Sequence, residues 1–278
     1  MTEFRPSRFE ILPTIVKNLL IINGLFFLAQ ITFKSSAGFS LDNILALHAW
    51  QSSLFQPWQL VTHMFLHGDF WHIFGNMFAV WMFGSVLENL WGPTRFLLFY
   101  IICGLGAALM HLFFLSYEVI PLMTDWATLV QAQGSGVGFA KALHAFNEHN
   151  PGVLGGQLEL ANQIITNPTD TEATNTLMSW IQSYYEANLN TATIGASGAV
   201  FGLLAAFVYL FPNTYVYLYF LVPVKAKWLG IGYFAYELYY AVQNSGGDNV
   251  ARWAHVGGAI VGLLIVMTWN KKNRKTFY

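Results

Sequence analysis

The sequence predicts an all-α, polytopic membrane protein, built as a bundle of six transmembrane helices. Composition carries this prediction, because 55% of the 278 residues are hydrophobic and only 10% are charged. Soluble domains carry about 25% charged residues, and a globule of this size needs a charged shell. The 17% of aromatic residues fits the Trp and Tyr belts found at membrane interfaces.

Charge and cysteine content exclude several classes of function. A net charge of −1 provides no basic surface for nucleic acid. The single cysteine, Cys103, excludes an intrachain disulfide framework and a cysteine-based metal cluster. Disorder is excluded as well, since it requires low hydrophobicity and high net charge.

Six apolar stretches approach the length of about 20 residues that a membrane helix needs. They are residues 11–33, 70–87, 96–114, 193–211, 228–242 and 253–269. The fifth is short and follows another apolar stretch, 215–224, which Pro223 interrupts. One longer span, tilted or broken, is therefore the alternative for this region.

The distribution of Lys and Arg predicts the orientation of these spans. If six spans alternate, ten of the 13 basic residues fall on one side, and only Lys34, Lys141 and Arg252 fall on the other. Basic residues favour the cytoplasmic side, so both termini should be cytoplasmic. Residues 117–190 are too polar to span and should form an extracytoplasmic insert between spans three and four. This insert is either a small helical cap, with helices at 125–147 and 174–187, or a flexible loop.

The fourth span begins with the motif Gly195-Ala196-Ser197-Gly198. Small neighbours let another chain approach the serine hydroxyl, and exposed amides near a helix start can bind an oxyanion. Alternatively, Gly195, Gly198 and Gly202 form a face for close helix packing.

The sixth span carries His255, followed by Gly258 and Gly262 in a G-x-x-x-G pattern that favours close helix packing. His255 and Ser197 both lie early in spans that enter from the outer side, so they should lie at similar depth. An adjacent base is what a weak serine nucleophile requires. The alternative is an interfacial histidine with no catalytic role.

The second span carries His72 and Asn76, which lie four residues apart and share one helix face. Both side chains can donate hydrogen bonds to a tetrahedral oxyanion at the depth of Ser197. Alternatively, they are polar residues bonded to neighbouring helices. Taken together, the three spans favour a nucleophile, a base and an oxyanion pocket, which is the equipment of acyl transfer or hydrolysis.

These motifs resemble those of bacterial rhomboids, a family of intramembrane serine proteases. The resemblance is close over residues 57–76, 195–202 and 254–262, and the remaining spans match in order and topology. It implies hydrolysis of single-span or otherwise membrane-anchored proteins, without a metal or other cofactor. It also implies a bacterial inner membrane, with the active site opening to the extracytoplasmic side. The oligomeric state stays open.

The resemblance also implies individual roles. Ser197 would be the nucleophile and His255 the base, while the Ser197 amide, Asn76 and His72 would form the oxyanion hole. His67 would belong to the framework of the outer loop. The family uses a dyad, and the sequence analysis identifies no carboxylate placed to orient His255.

Three positions depart from the family pattern. Gln59 follows Trp58 where relatives often carry arginine, and Phe201 stands where some carry tyrosine, although its ring can still pack against His255. The third departure is the insert at 117–190, which is expected to cover or frame the site.

Glu237 is an unexpected charge in span five. It either pairs with a neighbouring polar group or contributes to substrate gating. The alternative function for the whole chain is a catalytically silent relative that binds and routes membrane proteins. The presence of both Ser197 and His255 argues against that alternative.

Overall fold

The computed structural model describes residues 9–37, 40–218, 222–243 and 250–274. The chain divides into two compact units. We call the larger one the membrane unit; it comprises Met1–His48, Leu54–Phe114 and Ala192–Tyr278. The smaller one, the insert unit, comprises Ala49–Ser53 and Leu115–Thr191.

The first half of the chain is helical. Its helices are α1 (Thr14–Ala37), α2 (Asp42–Leu45), α3 (Gln59–Thr62), α4 (Phe70–Ala79), α5 (Ser85–Trp91) and α6 (Pro93–Ala132). A 3-10 turn, His63–Phe65, follows α3, and a π-helical turn, Val80–Gly84, joins α4 to α5. Phe70–Trp91 is therefore one continuous helical segment.

The second half adds helices and one hairpin. These elements are α7 (Val137–His149), a 3-10 turn (Gly155–Gln157), α8 (Leu158–Thr166), α9 (Thr171–Leu189), α10 (Ser197–Leu210), β1 (Tyr215–Leu218), β2 (Val222–Lys225), α11 (Ala226–Gln243) and α12 (Arg252–Arg274). Strands β1 and β2 pair antiparallel, with Tyr215 opposite Lys225. The described residues of the apolar stretch 215–224 thus form paired strands rather than an extension of span five, since Pro223 and its β-branched neighbours disfavour a helix.

Four helices of the described residues are long and apolar enough to cross a membrane: Thr14–Ser35, Phe70–Trp91, Pro93–Ala132 and Arg252–Lys271. The chain is thus a multi-pass, mostly helical membrane protein. Helix α10 is apolar but only 14 residues long, about 21 Å against a hydrocarbon core of about 30 Å. Helix α11 has 18 residues and is not among the four. The count of six spans stays a prediction.

The fourth predicted span, 193–211, differs from the helix observed there. Helix α10 begins only at Ser197, so the residues just before it are not helical. Irregular backbone at membrane depth is tolerated only where protein surrounds it or where it lines a cavity. This lead-in to α10 is where the candidate site lies.

The insert unit consists of helices with their own apolar core. Its fully buried side chains include Leu129, Phe139, Leu143, Ile164 and Leu177. The helix predicted at 125–147 is interrupted, because α6 ends at Ala132 and α7 begins at Val137. Two glycines between them, Gly134 and Gly136, adopt positive φ angles of 82° and 59°, which end one helix and redirect the chain.

Polar contacts also order the ends of the insert helices. Asp170 caps α9 by accepting a hydrogen bond from the Ala173 amide at 2.9 Å, which lowers the pKa of that carboxyl. At the end of α7, a 2.9 Å hydrogen bond to Asp125 raises the pKa of His149.

A seam of glycines joins α10 to α12 in the membrane unit. A Cβ on Gly258 would overlap the carbonyl oxygen of Gly198. A Cβ on Gly262 would lie 2.7 Å from Cα of Gly202. The two backbones therefore touch directly, and this contact leaves no room for side chains between them.

Candidate active site

Ser197 and His255 face each other across the glycine seam. Ser197 is the first residue of α10, and His255 lies one turn into α12. The Ser197 Oγ atom is 2.8 Å from Nε2 of His255, within hydrogen-bond distance. The Phe201 ring stacks on the His255 imidazole, with centroids 4.4 Å apart and planes 10° from parallel. The expected phenyl packing on His255 is therefore observed.

Gly195 shapes the lead-in to α10. Its φ is +126°, which side-chain-bearing residues rarely adopt, and its amide donates to the His63 carbonyl at 2.9 Å. A Cβ at this position would lie 2.8 Å from Nε2 of His72. The sequence analysis assigns Gly195 to a helix-packing face, but the residue precedes the helix. Its role here is the turn and the close approach of the backbone to His72.

His72 lies in the first turn of α4, which Asp69 caps by accepting from the His72 amide at 2.9 Å. The His72 Nδ1 atom accepts a hydrogen bond from the Gly68 amide at 3.3 Å. In a neutral imidazole the other nitrogen then carries the proton. Nε2 of His72 is thus a donor, and it lies beside Gly195.

Asn76 follows one turn after His72 on the same face of α4. Its side chain is buried, and Nδ2 has no hydrogen-bond partner among the described residues. An unpaired buried amide is costly, which makes it a free donor for a bound group. His67 lies close by, with its ring centroid 5.1 Å from that of His72 and the two ring planes 70° apart.

A narrow cavity lies beside Ser197. Its lining includes Leu47, His63, Met64, His111, Thr193 and Ala254. One polar pair in this wall joins His111 Nε2 to Thr193 Oγ1 at 2.7 Å. Ser197 therefore borders a cavity whose wall is mostly apolar but contains hydrogen-bonding groups.

Gln59, the first departure from the family pattern, holds the loop between α2 and α3. Its side chain is fully buried and donates through Nε2 to the carbonyls of Leu54 at 2.8 Å and Ile44 at 3.2 Å. The backbone carbonyl of Gln59 also accepts a 2.7 Å hydrogen bond from Nδ1 of His63. A neutral amide can thus bridge this loop without a cation.

Comparison with known proteins identifies the fold family. The sequence profile of the Rhomboid domain matches residues 54–147 and 172–272, well over half of the chain. The chain belongs to the rhomboid family. Rhomboid relatives from several lineages are similar to it. RHOMBOID-like protein 12, mitochondrial, from Arabidopsis thaliana is 24% identical over 90% of this chain, which spans 56% of that relative's length.

Two bacterial relatives carry the name rhomboid protease. AarA of Providencia stuartii is 32% identical over 45% of this chain and 47% of its own length. GluP of Bacillus subtilis is 30% identical over 34% of this chain and 18% of its own length. The rhomboid profile leaves residues 148–171 unmatched, and these lie within the insert unit.

One group at this rhomboid site was missed by the sequence analysis, which found no carboxylate placed to orient His255. Glu237 of α11 has its Oε2 atom 3.0 Å from Nδ1 of His255. Part of this contact could have been predicted from the depths of the two residues along their helices. Glu237 lies six residues before the end of α11, about 9 Å, and His255 lies three residues after the start of α12, about 4.5 Å, so their depths are similar. The rotation of α11 that turns Glu237 towards His255 could not be read from the sequence.

Proposed function

We propose that this chain is an intramembrane serine endopeptidase that hydrolyses peptide bonds of membrane-anchored proteins. Ser197 is the nucleophile, and His255 is the general base and then the general acid. The observation that carries this proposal is the 2.8 Å pairing of Ser197 Oγ with His255 Nε2, made across two helices of the membrane unit. A serine hydroxyl is a weak nucleophile until such a base accepts its proton.

The chemistry follows from this pairing in two halves. His255 Nε2 takes the serine proton as Oγ bonds to the substrate carbonyl carbon, and then gives that proton to the leaving amine as the C–N bond breaks. In the second half, water attacks the acyl-serine while Nε2 accepts a proton from it. The proton returns to Ser197 Oγ as the acid product leaves.

The negative oxygen of each tetrahedral intermediate needs donors that are already in position. Three groups are suited to this role: the Ser197 amide, Nδ2 of Asn76 and Nε2 of His72. The amide belongs to the first turn of α10, whose N–H groups have no intrahelical partner. Asn76 has a buried donor with no partner in the described part of the chain, and the His72 tautomer leaves its proton on Nε2.

Membrane-anchored proteins are the proposed substrate class. The support is the location of the pair in a polytopic membrane unit, together with the protease names of AarA and GluP. Peptide carbonyls in a helix are already hydrogen-bonded, so the substrate must unwind at the cleaved bond. We expect access past α11, which exposes most of its side chains on the outside of the protein.

The orientation and the compartment belong to this proposal as well. The excess of Lys and Arg on one side favours cytoplasmic termini and a site that opens to the opposite side. A bacterial inner membrane is supported by the bacterial proteases among the relatives, while other relatives are named mitochondrial.

Cleavage of a single-span test protein by the purified chain in detergent tests the proposal. The variants are Ser197→Ala and His255→Ala, with Ser85→Ala as a matched control. Ser85 is also a buried hydroxyl in a spanning helix, but it bonds to the Ile11 carbonyl at 3.0 Å. We expect cleavage to fall at least about 10³-fold in both site variants, and to persist in the control.

A fluorophosphonate probe supplies a second readout that does not depend on the choice of substrate. Labelling of the wild type, and none of Ser197→Ala, would support an activated serine. A folded wild type that neither cleaves several test proteins nor takes the probe would contradict the proposal and favour a binding-only rhomboid. Cleavage that survives Ser197→Ala would remove the nucleophile assignment.

A further inference from the structure

Glu237 is a carboxylate buried inside the membrane unit. Its exposed fraction is 2%, and it lies in the middle of α11, a helix with 18 residues. An ionisable side chain at this depth is costly unless it is paired, and such residues are usually functional. Its partners therefore indicate what it does.

Two groups of α12 meet the same oxygen of Glu237. Oε2 lies 3.0 Å from Nδ1 of His255 and 3.3 Å from Nη1 of Arg252. The guanidinium of Arg252 in turn lies over the rings of Tyr236 and Tyr240, at 5.4 and 5.0 Å from their centroids. The positive charge of the arginine therefore lies beside the carboxylate of Glu237 and holds it against α12.

This contact determines which nitrogen of His255 carries the proton. An ionised carboxylate only accepts hydrogen bonds, so Nδ1 must be the donor. In the neutral ring Nε2 is then unprotonated, which is the state needed to accept a proton from Ser197. The positive charge that develops on the ring during that transfer is next to the negative charge of Glu237.

Phe201 alone cannot supply this selection. Stacking on the imidazole at 4.4 Å restrains the tilt of the ring. A ring flipped by 180° about its Cβ–Cγ bond lies in the same plane and stacks equally well, but Nδ1 and Cδ2 have exchanged places. A hydrogen-bond acceptor at the edge of the ring distinguishes the two orientations, and Glu237 occupies that edge.

We propose that Glu237 is a positioning residue for His255, so that the site operates as a Ser-His-Glu triad rather than as a dyad. This inference rests on the proposed function. Glu237 takes no proton in the reaction: the serine proton moves to Nε2 and on to the leaving amine, while Nδ1 keeps its own. Arg252 anchors the carboxylate through its 3.3 Å contact with Oε2.

The competing explanation is that Glu237 only neutralises Arg252 and stabilises the fold. Glu88 provides a matched control for that role, because it is the other buried glutamate among the described residues of the membrane unit. Its exposed fraction is 3%, and its oxygens accept from the amides of Ile15 at 2.9 Å and Val16 at 2.8 Å, at the start of α1. Glu88→Gln should therefore lower Tm and leave kcat per folded molecule unchanged.

The experiment measures kcat, KM, Tm and the rate of fluorophosphonate labelling for Glu237→Gln, Glu237→Asp and Glu88→Gln. The amide of Glu237→Gln can donate to Nδ1, which moves the ring proton to Nε2 and blocks the base. In Ser-His-Asp enzymes this kind of change costs about 10⁴-fold in kcat, and we expect a fall of between about 10-fold and 10⁴-fold here. KM should not change, and labelling should slow in parallel. Glu237→Asp, which keeps the carboxylate, should recover at least part of the loss.

Two outcomes would overturn the inference. One is a Glu237→Gln protein with kcat within about twofold of wild type. The other is a Glu237→Gln protein that behaves like Glu88→Gln, with a lower Tm and unchanged kcat per folded molecule. Failure of the proposed function looks different, because Ser197→Ala would then still cleave or the wild type would neither cleave nor label.

Discussion

Two of the helices that pack against α12, α10 and α11, do so in opposite ways. Helix α10 meets it backbone to backbone through Gly198, Gly202, Gly258 and Gly262, and eight of the 14 residues of α10 are buried. Helix α11 buries only Ala226, Glu237 and Ala241 of its 18 residues, all of which the structure describes. Most of its remaining side chains face outward, where lipid is as apolar as they are, so the hydrophobic effect does little to hold the helix in place.

This difference in packing means that the Ser197–His255 contact should persist, whereas the Glu237–His255 contact depends on the position of α11. Ser197 and His255 lie on the tightly packed pair, so their 2.8 Å contact follows from the packing of the bundle. Glu237 reaches His255 from the loosely packed helix, held by one histidine and one arginine. Elements with few buried contacts are the ones that open first. The orientation of the base therefore depends on whether α11 is in place.

Among changes outside Ser197, His255 and Glu237, the largest effect should come from disrupting the glycine seam. A methyl group in Gly258→Ala would overlap the Gly198 carbonyl, and backbone cannot yield as a flexible side chain does. The helices must separate, and a displacement of about 1 Å at a reacting pair costs about 10²-fold in rate. We expect kcat for the test substrate to fall at least that far, with a lower Tm.

Gly232→Ala is the control for this prediction. Gly232 lies on α11, and a Cβ there would meet no atom within 4 Å. Replacing it should leave kcat unchanged and stabilise the helix by about 0.5–1 kcal/mol. Wild-type kcat in Gly258→Ala would show that the seam does not set the distance between Ser197 and His255.

A smaller effect is expected from Asn76→Ala, which removes one proposed oxyanion donor without touching the seam or α11. One donor of three is lost, so kcat should fall by about 10- to 10²-fold, at the lower end of such changes. KM should change little, because the donor acts mainly on the charged intermediate.

Asn23→Ala is the matched control for Asn76→Ala. Asn23 is also a buried asparagine in a spanning helix with one polar atom lacking a partner among the described residues, and its Nδ2 bonds to the Leu19 carbonyl at 2.8 Å. Its loss should leave kcat unchanged. If Asn23→Ala and Asn76→Ala reduced kcat equally, the oxyanion role of Asn76 would not hold.

The smallest effect should come from Tyr240→Leu, because Tyr240 is linked to His255 only through Arg252 and Glu237. The Arg252 guanidinium lies 5.0 Å from the Tyr240 centroid, and a contact of this kind contributes about 0.5–1 kcal/mol. Weakening the anchor of Glu237 by that amount should lower kcat by about two- to fivefold. Tyr239→Leu, whose ring contacts Tyr240 rather than Arg252, should have no comparable effect. A loss as large as that of Glu237→Gln would mean that Tyr240 acts on the site by another route.

Much of the fold could be predicted from the sequence, because a membrane helix is recognisable as a long run of apolar residues. The stretches beginning at residues 70 and 253 correspond closely to Phe70–Trp91 and Arg252–Lys271. The length of helix α6 was underestimated, because a change from apolar to polar residues marks where a chain leaves the lipid and not where its helix ends. The break between α6 and α7 was missed although the run Gly134-Ser135-Gly136 contains a Ser-Gly dipeptide, which is a turn signal.

The candidate site was readable in part for similar reasons. Depth along a helix follows from counting residues, so Ser197, His255 and the His72–Asn76 face could be placed at one level. Spacing also indicated that Gly258 and Gly262 share a face. Residue spacing could not predict the backbone conformation at Gly195. A φ of +126° and the close approach of His72 exclude a side chain there.

The sequence by itself therefore determined the membrane character of the chain, the polar residues inside it and the level at which they lie, because hydropathy and helical rise are local properties. The tertiary structure alone decided which of these residues meet. The rotation of a helix about its axis depends on its neighbours, and a rotation of half a turn would carry Glu237 from His255 to the outer face of α11. The third member of the candidate triad was for that reason visible in the sequence as an isolated charge, and only packing gave it a partner.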